Sequence, residues 1–260
     1  LTEHDAVLKT LESMASDGWD VTLLAPDPDG SIPVETVMGA LRSDTVLVSL
    51  MLVNNETGSV TDIAAISKAL KARKSSALLH TDAVQGYMKI PFTAKQIGAD
   101  MITVSAHKLH APKGTGALYI RQGLRLPPLI LGGGQESGNR SGTENLPGIS
   151  AFAAAVNMAR KDTDAAERMD ALRTMTIDLL GSAVPDLVIN GGCAPHILNI
   201  SLPGYKSEVV MNYLDGHGIC VSRGSACKKG ARSHVLKAMG LPPAVIDSSL
   251  RISMSRYTTQ

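Results

Sequence analysis

The sequence has no surplus of charge in either sign: 25 Lys and Arg nearly balance 24 Asp and Glu, for a formal net charge of +1. That balance removes the electrostatic case for a direct nucleic-acid partner or an anionic membrane surface. Long apolar runs are lacking too, so no stretch reads as a bilayer span. The opening Leu1-Thr2-Glu3-His4-Asp5 lacks the basic flank and apolar block of a signal peptide. Cysteine is scarce, limited to Cys193, Cys220 and Cys227. These show no Cys-x-x-Cys spacing for a metal, and an odd, sparse set fits a reducing cytoplasm better than a disulfide scaffold. Internal repeats, low-complexity tracts and charge blocks are missing as well. What is present, 44% hydrophobic and 19% charged over 260 residues, suits a globular chain that buries a sizeable core in one large or two small domains.

Periodicity sets the order of elements. Asp5 to Met14 has helical spacing through Val7, Leu8 and Leu11. Trp19 to Leu24 predicts a strand that ends at the turn Ala25-Pro26-Asp27-Pro28-Asp29-Gly30. Pro33 to Leu41 predicts a helix with proline near its first turn. The continuous apolar run Thr45 to Leu52 predicts a strand covered on both faces. Helix 61–72, strand 77–81, helix 94–98 and strand 101–104 follow, and this alternation implies an α/β fold with a mainly parallel sheet. A further strand ends at Ile120, and a helical stretch of 146–180, with room for a break, bridges to a smaller α/β unit. That unit is predicted to hold strands 187–190, 197–202, 219–222 and 250–255, and helices 207–215 and 233–239. Cys220 falls within a predicted strand and reads as a buried hydrophobe, whereas Cys193 reads as a loop residue without a role.

In parallel sheets, ligands sit beyond the carboxyl ends of the strands. Asn54, Asn55, Asp82, Gln85, Ser105, His107 and Lys108 all follow predicted strands at that end. Two neighbouring strands that end in an Asp and a Lys suggest one ligand meeting a carboxylate and an amine, which is what pyridoxal 5'-phosphate requires. The lysine forms a Schiff base, and the carboxylate keeps the pyridine nitrogen protonated so that the ring acts as an electron sink. Lys108 must then be made less basic by burial and neighbouring charge. Read in isolation, Asp82 also suits a helix N-cap, and Gln85 and Arg251 also suit ordinary surface polarity. Further along, Gly132-Gly133-Gly134 opens a glycine-rich stretch in which Arg140, Ser141 and Thr143 are donors suited to phosphate.

Taken in order, Thr2-Glu3-His4, Val53-Asn54-Asn55-Glu56-Thr57-Gly58, Asp82-Ala83-Val84-Gln85 and Ser105-Ala106-His107-Lys108 resemble the group I cysteine desulfurases. So do Gly132-Gly133-Gly134-Gln135-Glu136, Arg140-Ser141-Gly142-Thr143, Ser225-Ala226-Cys227 and Ser249-Leu250-Arg251-Ile252-Ser253. These are fold-type I pyridoxal phosphate enzymes of the class V aminotransferase superfamily. The resemblance implies conversion of L-cysteine to L-alanine, with the sulfur left as a persulfide on Cys227 and then handed to a sulfur-acceptor or scaffold protein, for iron–sulfur clusters or thiolated products.

The resemblance also assigns roles. Lys108 would hold the cofactor, Asp82 its ring nitrogen and Gln85 its phenolate oxygen, while His4 would stack on the ring. Ser105 and His107 would bind phosphate, and Thr143 would reach the phosphate of a neighbouring subunit in a cytoplasmic homodimer with shared active sites. Asn55 and Arg251 would fix the substrate carboxylate. Read from the residues themselves, Lys228, Lys229 and Arg232 beside Cys227 would raise its thiolate fraction or steer an anionic partner, or stand as plain solvated charges.

The implied organisation is a cofactor-binding unit over 1–160 and a smaller unit over 161–260. By the same resemblance the chain would lack about a hundred residues before Thr2, with a phosphate-binding turn, and a terminal helix after Gln260. The isolated chain would then hold the cofactor poorly. Another class V enzyme, such as a selenocysteine lyase or an aminotransferase, and an inactive desulfurase-like scaffold are the alternative expectations.

Overall fold

The run of short apolar segments spaced by amphipathic helices assembles into two sheets in the computed structural model, which describes residues 1–223 and 232–260. Strands β1 (Leu47–Met51), β2 (Leu78–Asp82) and β3 (Met101–Ser105) lie parallel in that order, and β4 (Gly116–Ile120) runs antiparallel to β3. The register pairs Met51 with Asp82 and Asp82 with Thr103, so the three parallel strands end nearly level. Helices α1 (Asp5–Ser16), α2 (Val34–Ala40), α3 (Ile63–Ala72) and α4 (Ala94–Ile97) belong to this half. Their ends are marked in the sequence: Asp62 accepts from the Ala65 amide at the start of α3, and Thr93 accepts from that of Gln96 in α4. Gly98 then ends α4 in a left-handed conformation, at φ 65°. The faces of α3 and the sheet meet in one core that includes Leu50, Val53, Ile63, Ile66, Leu79 and Ile102. Each such fully buried side chain contributes about 1.5–3 kcal/mol relative to exposure.

The second half begins with α5 (Leu146–Lys161) and α6 (Ala165–Ala183), so the long helical stretch breaks between residues 161 and 165. Strands β5 (Val188–Asn190), β6 (Ile197–Ser201) and β7 (Ser249–Ser253) form an antiparallel sheet, with β6 central and buried along its whole length. Helices α7 (Ser207–Asp215), α8 (His234–Ala238) and α9 (Pro243–Asp247) complete it. The one-turn α9, with proline in its first turn, is too short to leave a periodic signal in the sequence.

Two predicted strands are not strands. Residues 19–24 form no regular element: among the described residues no neighbouring strand pairs with them, and Trp19 is 54% exposed. A β-prone segment without a ladder partner has nowhere to place its backbone hydrogen bonds. Among the described residues, 219–222 meet a strand at the isolated bridge where Ser222 exchanges hydrogen bonds with Arg251, at 2.7 and 3.1 Å, while the Ile219 amide turns back to the Leu214 carbonyl at 2.9 Å. Cys220 is consequently exposed rather than buried. The both-face coverage expected for β1 holds for Leu50 and Met51, but β1 is a sheet edge and Leu47 is 37% exposed. An apolar cavity of about 370 Å³ separates that edge from the 19–24 run. Among the described residues, no helix is long and apolar enough to cross a membrane.

The loop after β1 joins the two sheets. Gly58 sits at φ 72°, and a Cβ there would lie 2.9 Å from the Ile197 carbonyl oxygen, so the close approach of β6 demands glycine. The Glu56 carbonyl accepts from Asn199 Nδ2 at 3.0 Å, and the Glu56 carboxylate accepts from Ser233 Oγ. This seam brings β7 over the ends of the parallel strands.

Candidate active site

A cavity of about 410 Å³ opens at the carboxyl ends of β1, β2 and β3. It is lined by His4, Asn55, Asp82, Gln85, Ser105, His107, Lys108 and Arg251, eight of the residues singled out in the sequence. Each arrives by a short, definable route. Asp82 is the last residue of β2, 9% exposed, and its Oδ1 accepts from the Val84 amide at 2.9 Å, which fixes the carboxylate at the strand end. Gln85 follows one turn later. Ser105 ends β3, and His107 and Lys108 lie in the 3₁₀ turn Ala106–Leu109 that follows directly. Ser105 Oγ and His107 Nδ1 are 2.8 Å apart, so these two donors are held as a pair. His4 caps α1 by accepting from the Ala6 amide at Nδ1, 3.1 Å away, which places its ring proton on Nε2.

The adjacent asparagines divide the work. Asn54 is buried, and its side chain is fully engaged: Nδ2 donates to the Thr2 carbonyl at 2.9 Å, while Oδ1 accepts from the Glu56 amide at 2.9 Å and the Thr57 amide at 3.1 Å. That scaffolding sets the turn from which Asn55 faces the cavity. Arg251 enters from β7 and donates from Nη1 to the Asn55 carbonyl at 2.7 Å, while its buried Nε has no partner among the described residues. The planar guanidinium is therefore anchored at Nη1 on the loop after β1, and the residue lines the cavity from there.

Two cations, Lys108 and Arg251, share the cavity with the carboxyl groups of Asp5, Glu56 and Asp82. Burial makes Lys108 less basic than a free lysine, and the neighbouring Arg251 adds to the effect. Burial also weakens the hold of Arg251 on its proton, opposed by the Glu56 carboxylate. His107 is lowered by burial first and by Lys108, Lys113 and Lys89 after it, which keeps it neutral. The arrangement suits an anionic ligand that also offers a group able to react with an amine. Among the described residues no cluster of His, Cys, Asp or Glu could hold a metal.

The structure does not bring every candidate to this cavity. Thr143 is exposed in the loop before α5 and lines no part of it. Arg140 turns to the Ser141 carbonyl at 2.9 Å, and Ser141 is buried, so neither donor of that stretch points into this cavity. Cys227, with Lys228 and Lys229, lies outside the described residues. Arg232 forms a two-pronged pair with Asp247, both contacts at 2.6 Å. Glu56 and His80 are among the lining residues that escaped the sequence reading. Glu56 is buried and held above the usual carboxylate range by burial, against the Ser233 hydrogen bond. His80 bridges the strands through Ser49 and Thr103, each at 2.8 Å, and stands two residues before Asp82 on the same sheet face. The i, i+2 spacing was the available signal for His80; Glu56 left none, because its partners come from 177 residues away.

Comparison with known proteins agrees with this geometry. The profile of the aminotransferase class-V family matches residues 1–260. Cysteine desulfurase 2 of Trichormus variabilis is 44% identical over 263 residues, covering 99% of this chain and 66% of that protein. Cysteine desulfurase IscS of Dictyoglomus turgidum is 38% identical over 264 residues, with 99% and 66% covered. Among solved structures, a NifS-like protein superposes with a TM-score of 0.91 at 36% identity, over 100% of this chain and 69% of the other. DndA from Streptomyces lividans gives a TM-score of 0.82 at 38% identity, over 98% and 73%. The chain thus spans about 66% of the length of the curated relatives it matches first.

Proposed function

Because the chain belongs to the class-V aminotransferase family, we propose that the polypeptide carrying it is a pyridoxal-phosphate-dependent cysteine desulfurase. The observation that carries this reading is the meeting of Lys108, Asp82 and Arg251 in one cavity, an amine, a carboxylate and a guanidinium drawn from the turn after β3, the end of β2 and β7. Those groups fit the cofactor: Lys108 would hold its aldehyde carbon, Asp82 its ring nitrogen, Gln85 its phenolate oxygen, and Ser105 with His107 its phosphate. His4 would cover the ring face. When bound, the cofactor supplies an electron sink that acidifies the substrate Cα–H and lets the Cβ–S bond break.

The remaining work falls to side chains. Asn55 and Arg251 bind and orient the L-cysteine carboxylate. Lys108, its basicity lowered by burial, moves the proton at Cα. The Cys227 thiolate attacks the substrate sulfur: an S–S bond forms, the C–S bond breaks, and the carbon skeleton leaves as L-alanine after protonation at Cβ. A persulfide on Cys227 is then available to an acceptor or scaffold protein for iron–sulfur clusters or other thiolated products. The exposed Cys193 and Cys220 are free thiols, which suits a reducing cytoplasm.

The unit over 1–160 would bind the cofactor, and the unit over 161–260, beginning near the break between α5 and α6, would carry Cys227. A homodimer is the assembly we favour. Leu129 and Leu131 are 96% and 81% exposed beside the loop that bears Thr143, an apolar surface that calls for cover. Thr143 would then complete the phosphate site of the second copy.

The test is an absorbance spectrum of the complete polypeptide with pyridoxal phosphate, before and after L-cysteine. Wild type should develop a visible band that L-cysteine perturbs, and Lys108→Ala should not. Cys227→Ala should keep the spectral response but form no alanine under multiple turnover. Undiminished turnover in that variant would point instead to another class V activity.

A further inference from the structure

Lys89 is the most unusual cation in the fold that the proposed mechanism leaves unused. It is half-buried, and the charged groups acting on it are themselves cations, Lys108 and Arg256. With burial as the larger cause, they bring its pKa down to about 8. What this lysine touches gives the placement its meaning. Its Nζ lies 3.1 Å from Gln85 Oε1. The contact is built in locally: the Tyr87 amide donates to the Ala83 carbonyl at 2.8 Å and the Ile90 amide to the Gly86 carbonyl at 3.0 Å. These bonds wind 83–90 into successive turns, with Met88 in a left-handed conformation at φ 59°, and that path returns Lys89 to Gln85. Gly86 seats the turn on the sheet, since a Cβ there would lie 2.7 Å from Leu52 Cδ2.

An ammonium donates and never accepts. The Gln85 atom it touches must therefore be the amide oxygen, although a glutamine amide can otherwise present either end. Nε2, on the opposite arm, is left as the group Gln85 offers to the cavity it lines. We propose that Lys89 is a positioning residue that locks the Gln85 amide with its N–H₂ toward the ligand, making Gln85 an obligatory donor to an anionic ligand oxygen. Without it the amide is free to flip, and the carbonyl oxygen would meet that anion with repulsion. This inference rests on the pyridoxal phosphate reading of the site.

The test is a double-mutant cycle on cofactor affinity and on the absorbance maximum of the bound cofactor, using the complete polypeptide. Gln85→Leu and Lys89→Met should each weaken pyridoxal phosphate binding by roughly 10- to 100-fold, the range for a hydrogen bond to a charged acceptor. The double variant should be no weaker than Gln85→Leu alone, because Lys89 acts only through Gln85. Lys89→Arg, which still donates, should restore both affinity and absorbance maximum. If Lys89→Met fails to fold by circular dichroism, Lys89→Gln, polar but not an obligatory donor, replaces it in the cycle. Additive losses, or an unaffected Gln85→Leu, would overturn the inference. Failure of the wild type to bind the cofactor would instead overturn the functional reading.

Discussion

At the scale of single residues, Arg251 shows how position turns a common side chain into a specific one. In sequence it is an arginine in a strand-like run; in the fold its Nη1 is tied to the Asn55 carbonyl while its Nε stays buried and unpartnered. A buried donor without a partner carries a cost of about 1–3 kcal/mol, more when charged, and under the proposed function the guanidinium that lines the cavity binds the substrate carboxylate. Arg251→Lys should therefore raise KM for L-cysteine by roughly tenfold or more, because a point charge cannot reproduce the fork. The cofactor absorbance should stay as in wild type. Steady-state kinetics together with the spectrum check this, and an altered spectrum with unchanged KM would reassign Arg251 to the cofactor. Glu3 makes a second case, buried at 7% exposure with Oε1 on the Met51 amide and Oε2 without a partner. Burial raises its pKa to about 7. The folded state then holds a proton that the unfolded chain releases near pH 4.5. The stability it contributes is full below that point and is lost as pH rises toward 7, on the order of 3 kcal/mol in all. Urea unfolding between pH 5 and 7.5 should show this decline in wild type and a flatter profile in Glu3→Gln.

Elements carry the site by ending where they do. Three parallel strands stop level, so residues placed one to four positions beyond them converge without help from distant sequence. This is why Asp82, Ser105, His107 and Lys108 were legible: each needs only its own strand and the turn after it. Arg251 was legible through family pattern alone, since a β7 residue reaches the cavity only when the antiparallel sheet docks on the loop after β1. The same dependence hid Glu56, whose burial comes from Ser233 and Asn199 in the other half of the chain. It also explains the overcalled strands, because β propensity in 19–24 and 219–222 says nothing about whether a ladder partner stands alongside. Ser233 tests the seam. Its Oγ accepts from the Leu236 amide at 3.1 Å as the N-cap of α8 and donates to Glu56. Ser233→Ala removes both and leaves a buried carboxylate with less support, so a loss of about 1–3 kcal/mol is expected in denaturant unfolding. Ser233→Thr, which keeps the hydroxyl, should recover most of it.

At the scale of the whole molecule, the proposed function draws on a residue that the cavity of one chain does not include. Thr143 stands outside it, on a loop that follows the exposed Leu129-Ile130-Leu131 run. If two copies pack through that surface, each site combines Lys108 of one chain with Thr143 of the other, and the symmetry of a two-fold interface makes both sites alike. The arrangement predicts complementation. Lys108→Ala alone should be inactive, and Thr143→Ala alone should bind pyridoxal phosphate about tenfold more weakly through loss of one charge-assisted hydrogen bond. When the two variants are unfolded together and refolded as a mixture, about half of the dimers are mixed. Each mixed dimer has one site with both residues intact and one with neither, so activity at limiting cofactor should recover to about one quarter of wild type. A site built within a single chain gives a different result: Lys108 and Thr143 then never reunite, and the mixture performs no better than the average of its two components. Measuring turnover of the mixture against that average decides between a shared site and a self-contained one, and sedimentation of the same samples confirms that the chains have paired.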